Sequence, residues 1–307
     1  MLAAFLSTIL FSISAVTAHR TSKLVGGIEA NFWRLLCATA LLAIYAHSLG
    51  AGLSGTALGI FLVSGGIGFG IGDFALFQAL PKLGSRLTIL LVQCLAAPIA
   101  ALIEWLWLGT TLNGAQLVCG AAILTGVALA LSPSEHLQLT RKQLVAGVLF
   151  GSIAAVGQAG GAVLSRVANA QLHTAGQEID GITAAYQRIL GGIVVTAMVF
   201  WIARHRKKIF ASGTLSSSSP PPAGSKHVIW PWIFVNALAG PTLGVSCYQW
   251  ALKTTPTGIV LPIVAITPLV IIPFARVVEG ERPTHRSLVG GMIAVVGVVA
   301  LTLVSRR

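Results

Sequence analysis

The sequence has 307 residues, of which 55% are hydrophobic and only 9% are charged. A soluble domain carries charge at roughly a quarter of its positions, so this composition excludes an ordinary soluble protein. The net charge of +12 would indicate nucleic-acid binding in a soluble chain. Here the basic residues lie in short connectors between apolar runs, where membrane topology accounts for them, and no nucleic-acid partner is predicted.

Ten apolar segments follow one another along the chain, each about 17–25 residues long, the length that a membrane-spanning helix needs. Their predicted bounds are 2–18, 25–46, 56–80, 86–107, 113–131, 144–166, 181–203, 228–252, 256–278 and 287–304. Helices are predicted because an open sheet edge is not tolerated in hydrocarbon. The first segment has features of a signal peptide, but it lacks a basic start, and we interpret it as the first membrane helix.

The region 79–131 is repeated near the end of the chain. Four landmarks recur 171 positions later: Leu117, Gly120, Gly126 and Val127 return as Leu288, Gly291, Gly297 and Val298. Arg34 in the second segment and Arg188 in the seventh extend the repeat. Because five segments is an odd number, the second copy must enter the membrane in the opposite orientation. The predicted fold is therefore an all-α membrane protein with ten transmembrane helices in two inverted five-helix repeats, with a solute site between them.

The polar stretches divide the chain. The first repeat is assigned to residues 1–131, a linker to 132–143 and the second repeat to 144–307. Residues 205–227 contain a run of serines and prolines and are predicted to form a disordered loop.

The basic residues predict an orientation. Connectors 1, 3, 5, 7 and 9 hold fourteen of the twenty Lys and Arg residues, and Arg34 and Arg188 lie within segments. The opposite side holds four: Arg166, Lys253, Arg306 and Arg307. The positive-inside rule then places the odd connectors in the cytoplasm and both termini outside.

Several short motifs, taken in order, resemble a known family. They are Gly72-Asp73, Phe77, Ala79-Leu80, Gly84-Ser85-Arg86, Pro98, Glu279-Gly280-Glu281-Arg282 and Leu288-Val289-Gly290-Gly291. With these motifs the chain resembles the drug/metabolite transporter (DMT) superfamily, EamA type, over nearly its whole length. The first copy departs from the pattern, since Leu108-Gly109-Thr110-Thr111 lacks the charges of the second turn. The resemblance implies a multi-pass solute carrier of the inner membrane, often an exporter of amino acids or other small metabolites. It also implies termini in the cytoplasm, the reverse of what the charges predict.

Three charged residues inside segments are candidates for a substrate or coupling site. A carboxylate within a membrane segment is energetically costly unless it has a charged partner or contacts water. Asp73 is therefore predicted to couple a proton, to bind a cationic group of the solute, or to form a structural pair with Arg34. Arg34 and Arg188 either recognise a carboxylate or phosphate, or tie helices together.

A second group of candidates consists of intramembrane amides and one phenol. They are Gln78, Gln93, Gln158, Tyr248 and Gln249. Buried amides need partners, so these side chains either line a cavity or connect helices. The resemblance implies that helices 1, 3, 4, 6, 8 and 9 line the cavity.

Prolines interrupt the fourth and ninth segments. Pro98, Pro262 and Pro268 are predicted to kink their helices, either as hinges or as tolerated bends. The run Gly65–Gly72 contains GxxxG spacing and is predicted to pack helices closely.

Other classes of function have little support. The chain has no GxxxxGK[ST] motif and no clustered metal ligands, so neither a cofactor nor a metal is predicted. No convergent nucleophile and base indicate an enzyme. The preferred function is a secondary transporter of small solutes that acts in the bilayer, with protons as one candidate coupling ion. The alternative is a carrier of phosphorylated sugars or organic acids bound by the intramembrane arginines. An intramembrane enzyme or a non-transporting partner subunit is the least favoured hypothesis.

Overall fold

The computed structural model describes residues 2–108, 114–131, 140–211, 225–254, 263–264, 266–280 and 283–304, and these form helices and turns without a strand. The helices in chain order are α1 (Leu2–Val25), α2 (Gly27–Ser48), α3 (Leu58–Gly65), the π-helical segment π1 (Gly66–Gly72), α4 (Asp73–Leu108), α5 (Gly114–Leu131), α6 (Arg141–Thr174), α7 (Gly181–Ala211), α8 (Ser225–Ala237), the π-helical segment π2 (Leu238–Gly244), α9 (Val245–Thr254), α10 (Thr267–Val278) and α11 (His285–Val304).

Glycines mark two of the boundaries between helices. Gly26, with φ of 86°, separates α1 from α2. Gly84, with φ of 79° and ψ of 167°, breaks α4. Side chains with a Cβ avoid these dihedral angles, so glycine is the residue suited to both breaks. The break at Gly84 falls between the third and fourth predicted segments.

The lengths and composition of the helices fit a bilayer. Among the described residues, five helical stretches are long and apolar enough to cross a membrane. They are Leu2–Val25, Gly27–Ser48, Leu58–Ala100, Arg141–Thr174 and Gly181–His205. Shorter apolar helices cover Gly114–Ala130, Thr267–Val278 and His285–Leu301. The count of ten membrane helices stays a prediction.

The first helix has its polar face inside. Ser7 and Ser12 of α1 are fully buried, whereas Leu2 and Phe5 are exposed. This is the reverse of a helix on a soluble protein and matches a helix whose outer face contacts lipid. The Ser12 hydroxyl donates to the carbonyl of Thr8 at 2.9 Å, so the buried hydroxyl has a partner.

The helices of the two predicted repeats pack against each other. Contacts join α2 to α7, α4 to α6 and α5 to α11. At the last of these, a Cβ on Gly126 would lie 2.7 Å from the carbonyl oxygen of Gly290, and one on Gly290 would lie 2.6 Å from that of Gly126. Small residues permit this close approach, as in other membrane bundles.

Polar contacts cluster at two ends of the bundle. At one end, His19 Nδ1 lies 2.7 Å from Glu279 Oε2, and Arg86 Nη1 donates to Ser287 Oγ at 2.8 Å. These residues belong to connectors 1, 3 and 9 or border them.

The other end joins the connectors that follow α2 and α6. There His47 Nε2 lies 3.0 Å from the Tyr186 hydroxyl, and the backbone N–H of Thr56 donates to Gln177 Oε1 at 3.0 Å. Odd and even connectors thus meet at separate ends.

Two boundaries differ from the sequence prediction. α7 continues to Ala211 and α8 begins at Ser225, so described helix overlaps both ends of the segment 205–227 that the sequence assigns to a loop. Residues 212–224 lie outside the described residues. The predicted linker 132–143 likewise ends at Thr140, which caps α6 in a capping box with Gln143.

Candidate functional site

The centre of the site is an ion pair between α2 and the start of α4. Arg34 is 5% exposed, and its Nη2 donates to Asp73 Oδ2 and, at 3.0 Å, to Asn31 Oδ1. Its guanidinium carbon also lies 4.7 Å from the centre of the Phe77 ring. A carboxylate and an amide oxygen therefore balance this buried cation.

The position of Asp73 depends on π1. This seven-residue π-helical segment ends at Gly72, and Asp73 is the first residue of α4. π-helical turns are rare and occur frequently at functional sites. The Asp73 side chain is 17% exposed, so it is not sealed inside the protein.

A second buried guanidinium lies on α7. Arg188 is 8% exposed, and its Nε donates to Ser64 Oγ at 3.1 Å. Ser64 in turn donates to the carbonyl of Gly161 at 2.6 Å, which fixes the hydroxyl between α3 and α6. The Arg188 guanidinium lies 5.2 Å from the Phe69 ring and interacts electrostatically with Asp73.

Each arginine contacts the π-helical segment of the other predicted repeat. A Cβ on Gly240 of π2 would lie 3.4 Å from Nη1 of Arg34, and a Cβ on Gly68 of π1 would lie 3.4 Å from Nη2 of Arg188. Gly68 and Gly240 are 172 positions apart, which is the offset of π1 and π2 as a whole. The two guanidiniums thus occupy related positions between the repeats.

Several buried polar atoms lack a hydrogen-bond partner within the described part of the chain. They are Arg34 Nε, Asn31 Nδ2, Asn236 Nδ2 and Gln249 Nε2. Donors of this kind can bind a polar solute, because an unsatisfied buried donor is costly. Asn236 holds one partner, since its Oδ1 accepts from Ser14 Oγ at 2.7 Å.

The four candidate glutamines fall into two groups. Gln158 Nε2 donates to Gln93 Oε1 at 2.6 Å, so this pair connects α6 to α4. Gln78 and Gln249 lie at helix crossings instead: a Cβ on Gly27 would be 2.9 Å from Gln78 Nε2, and one on Gly181 would be 3.3 Å from the carbonyl carbon of Gln249.

Tyr248 is linked to the charged centre through Arg188. It interacts electrostatically with Arg188, and its ring centre is 6.3 Å from that of Phe11. Of the sequence candidates, the structure brings together Arg34, Asp73, Arg188 and Tyr248.

The three predicted hinge prolines have different positions. Pro98 lies inside α4. The described residue of α4 with non-helical backbone angles is Gly84. Pro268 is in the first turn of α10, directly after the turn at Ile266. Proline is favoured there because the first turn does not need its N–H group. Pro262 lies outside the described residues.

Sequence reasoning missed several residues of the site. Asn31 lies one turn before Arg34 on α2, and this spacing places both on one face of the helix. Ser64 and Asn236, which are 172 positions apart, gave no signal beyond being polar within apolar segments. Their roles depend on contacts with other helices.

An all-helical bundle with apolar surfaces and a charged, buried centre defines a multi-pass membrane protein. The EamA-like transporter family model matches residues 1–132 and 145–303, and the chain belongs to this family of membrane transporters. A solved structure titled "Crystal structure of protein" matches with a TM-score of 0.63 and 18% identity, over 100% of this chain and 97% of the other. At that identity the likeness shows the fold alone. No curated protein matches the sequence.

Proposed function

We propose that the protein is a secondary transporter that exports amino acids or other small metabolites across the cytoplasmic membrane by alternating access. The observation that carries the proposal is the crossed contact of each buried arginine with the π-helical segment of the other predicted repeat. Secondary transporters with repeats of this kind bind their solute between the repeats, next to irregular helices.

The arrangement of connectors supports an inverted repeat. Connectors 1, 3 and 9 meet at one end of the bundle, and the connectors after α2 and α6 meet at the other. This is the arrangement expected when the second copy of five helices enters the membrane from the opposite side. Rocking of the two copies about the arginines would expose the centre to each side in turn.

The contacts at the first end are suited to a gate. His19 and Glu279 are both almost fully buried and belong to helices of different repeats. The backbone N–H of Ser85 also lies 3.4 Å from Glu279 Oε2. Opening of this end requires these contacts to separate, whereas the charged centre stays in place.

The role of Asp73 follows from its partner. The ion pair with Arg34 supports the structural alternative over direct binding of a cationic solute group. Protonation of Asp73 would release Arg34, so the pair remains suited to coupling with a proton gradient. Solute exchange or downhill export requires no such step.

Transport in proteoliposomes tests the proposed function. The purified protein is expected to move at least one member of a panel of amino acids and small metabolites. Asp73→Asn is expected to slow this transport about tenfold or more, since loss of the carboxylate leaves Arg34 unpaired. Val194→Ala is the matched control, because this exposed α7 side chain lies on the outer surface and its loss is expected to leave the rate unchanged. If no solute in the panel moves, the proposal fails.

The orientation is tested separately with a reporter fused after Arg307. The distribution of basic residues predicts a C-terminus outside the cytoplasm, so an enzyme that is active only in the periplasm should be active in this fusion. Activity of a reporter that needs the cytoplasm would instead support the orientation that the family resemblance implies.

A further inference from the structure

Arg188 is a buried cation without a described acidic partner. Its exposed fraction is 8%, and within the described residues its hydrogen bond goes to the neutral hydroxyl of Ser64. A guanidinium carries five N–H donors, and that bond uses one of them. The terminal nitrogens therefore keep donors for a further acceptor. A buried charge without a counter-ion is costly, which is why such residues in membrane proteins mark ligand sites.

The repeat shows what Arg188 lacks. Arg34, its counterpart, is paired with Asp73, the residue that directly follows π1. The residue that directly follows π2 is Val245, 172 positions after Asp73. Val245 packs in one apolar cluster with Ala185 and Ile189, the α7 neighbours of Arg188. The second repeat thus has an apolar side chain where the first has an acid.

The charges of the centre do not balance. Arg34, Arg188 and Asp73 together carry a net charge of +1, and among the described residues Asp73 and Tyr248 are the titratable groups that interact electrostatically with Arg188. Arg166, which also acts on Tyr248, is itself exposed. One negative charge is therefore sufficient to neutralise the centre.

We infer that the transported solute carries a single carboxylate and that the terminal nitrogens of Arg188 bind it, so that the solute serves Arg188 as Asp73 serves Arg34. This inference rests on the proposed transport function and specifies its solute. A guanidinium pairs with a carboxylate through two parallel hydrogen bonds. A phosphate ester carries about −1.5 to −2 charge at pH 7 and would leave the centre negative, which favours a carboxylate over a phosphorylated sugar.

Glycines border the terminal nitrogens of Arg188. Gly68 and Gly161 are the residues next to Nη2, and a Cβ on either would lie 3.4 Å from that nitrogen. Neither residue has a side chain to cover the donor. An amino acid and a simple organic acid share the carboxylate, and the matched compounds described next distinguish the two.

Thermal unfolding of the purified full-length protein with matched compounds tests this inference. The amino acids are alanine, leucine, serine and phenylalanine. Each is compared with its amide and with its deaminated carboxylate, and inorganic phosphate is added as a further anion. At least one carboxylate compound is expected to raise the Tm, and its amide is not. A shift with the amino acid alone identifies amino acids as the solute class, and a shift with both acids identifies carboxylates in general.

Variants of Arg188 and Val245 give the second part of the test. Arg188→Gln is expected to weaken carboxylate binding about 30-fold or more, and Arg188→Lys less. Val245→Asp places an internal acid beside Arg188, so it is expected to raise the Tm of the free protein and to abolish the carboxylate-induced shift. This gain in stability distinguishes loss of binding from loss of folding.

Three results would overturn the inference. They are equal shifts with amides and acids, a shift with phosphate that exceeds every carboxylate, and unchanged binding in folded Arg188→Gln protein. If neutral compounds bind and are transported in proteoliposomes, the transporter proposal stands and the carboxylate inference fails. If no compound binds and none is transported, both fail.

Discussion

Arg34→Gln is expected to lower the free energy of unfolding by about 3 kcal/mol, because it leaves the Asp73 carboxylate inside the bundle without its cation. Asp73→Asn is expected to cost a similar amount, since it leaves Arg34 unpaired. The measurement is denaturant or thermal unfolding of the purified protein in detergent micelles.

The double variant Arg34→Gln/Asp73→Asn is the control for this pair. It removes both charges and is expected to recover most of the lost stability, as residues that act as a pair are not additive. Arg188→Gln is the second control, because it removes a cation without a described acidic partner and is expected to leave the stability unchanged or to raise it. Equal losses of unfolding free energy in Arg34→Gln and Arg188→Gln would contradict the difference between Arg34, which is paired with Asp73, and Arg188, which has no described acidic partner.

Gly65→Ala is expected to be the most damaging small substitution in α3. A Cβ at this position would overlap the carbonyl oxygen of Arg188 and would lie 2.9 Å from its Cα atom, so α3 and α7 would have to separate. Neither atom belongs to a flexible side chain. We expect a loss of about 3 kcal/mol or more and little folded protein, measured by size-exclusion profile and Tm after purification.

Gly59→Ala is the matched control on the same helix. A Cβ there meets nothing within 4 Å, and alanine favours a helix over glycine by about 1 kcal/mol. The control is therefore expected to be as stable as the parent or slightly more stable. Similar behaviour of both variants would contradict the close contact between α3 and α7.

Much of the fold follows from local properties of the chain. The apolar runs predict membrane helices because hydrocarbon requires every backbone group to bond within its own segment. The recurrence of landmarks such as Gly126 and Gly297 predicts two related halves, which agrees with the family match to residues 1–132 and 145–303. The helix break at Gly84 is also predictable, since the third apolar segment ends shortly before it.

Other features of the fold have no comparable local signal. The π-helical segments π1 and π2 are invisible in the hydrophobic pattern, because apolar residues fill every face of these helices. Pro268 is a second example. Its effect depends on where the helix starts, and at the first turn of α10 the missing N–H costs little.

The sequence by itself predicted which charged residues are candidates for a site within the membrane. Arg34, Asp73 and Arg188 interrupt apolar segments, where an unpaired charge is costly. It also indicated that the two arginines are equivalents, since Arg34 lies in the second segment of the first predicted repeat and Arg188 in the second segment of the other.

Only the tertiary structure decided how these charges are used. An ion pair forms when two side chains from distant segments come within hydrogen-bond distance, and this depends on the rotation and crossing of α2, π1 and α4. Arg34 meets Asp73 there, whereas the second repeat has Val245 at the position that corresponds to Asp73. One copy of the repeat therefore holds a neutralised cation, and the other holds a cation that retains hydrogen-bond donors.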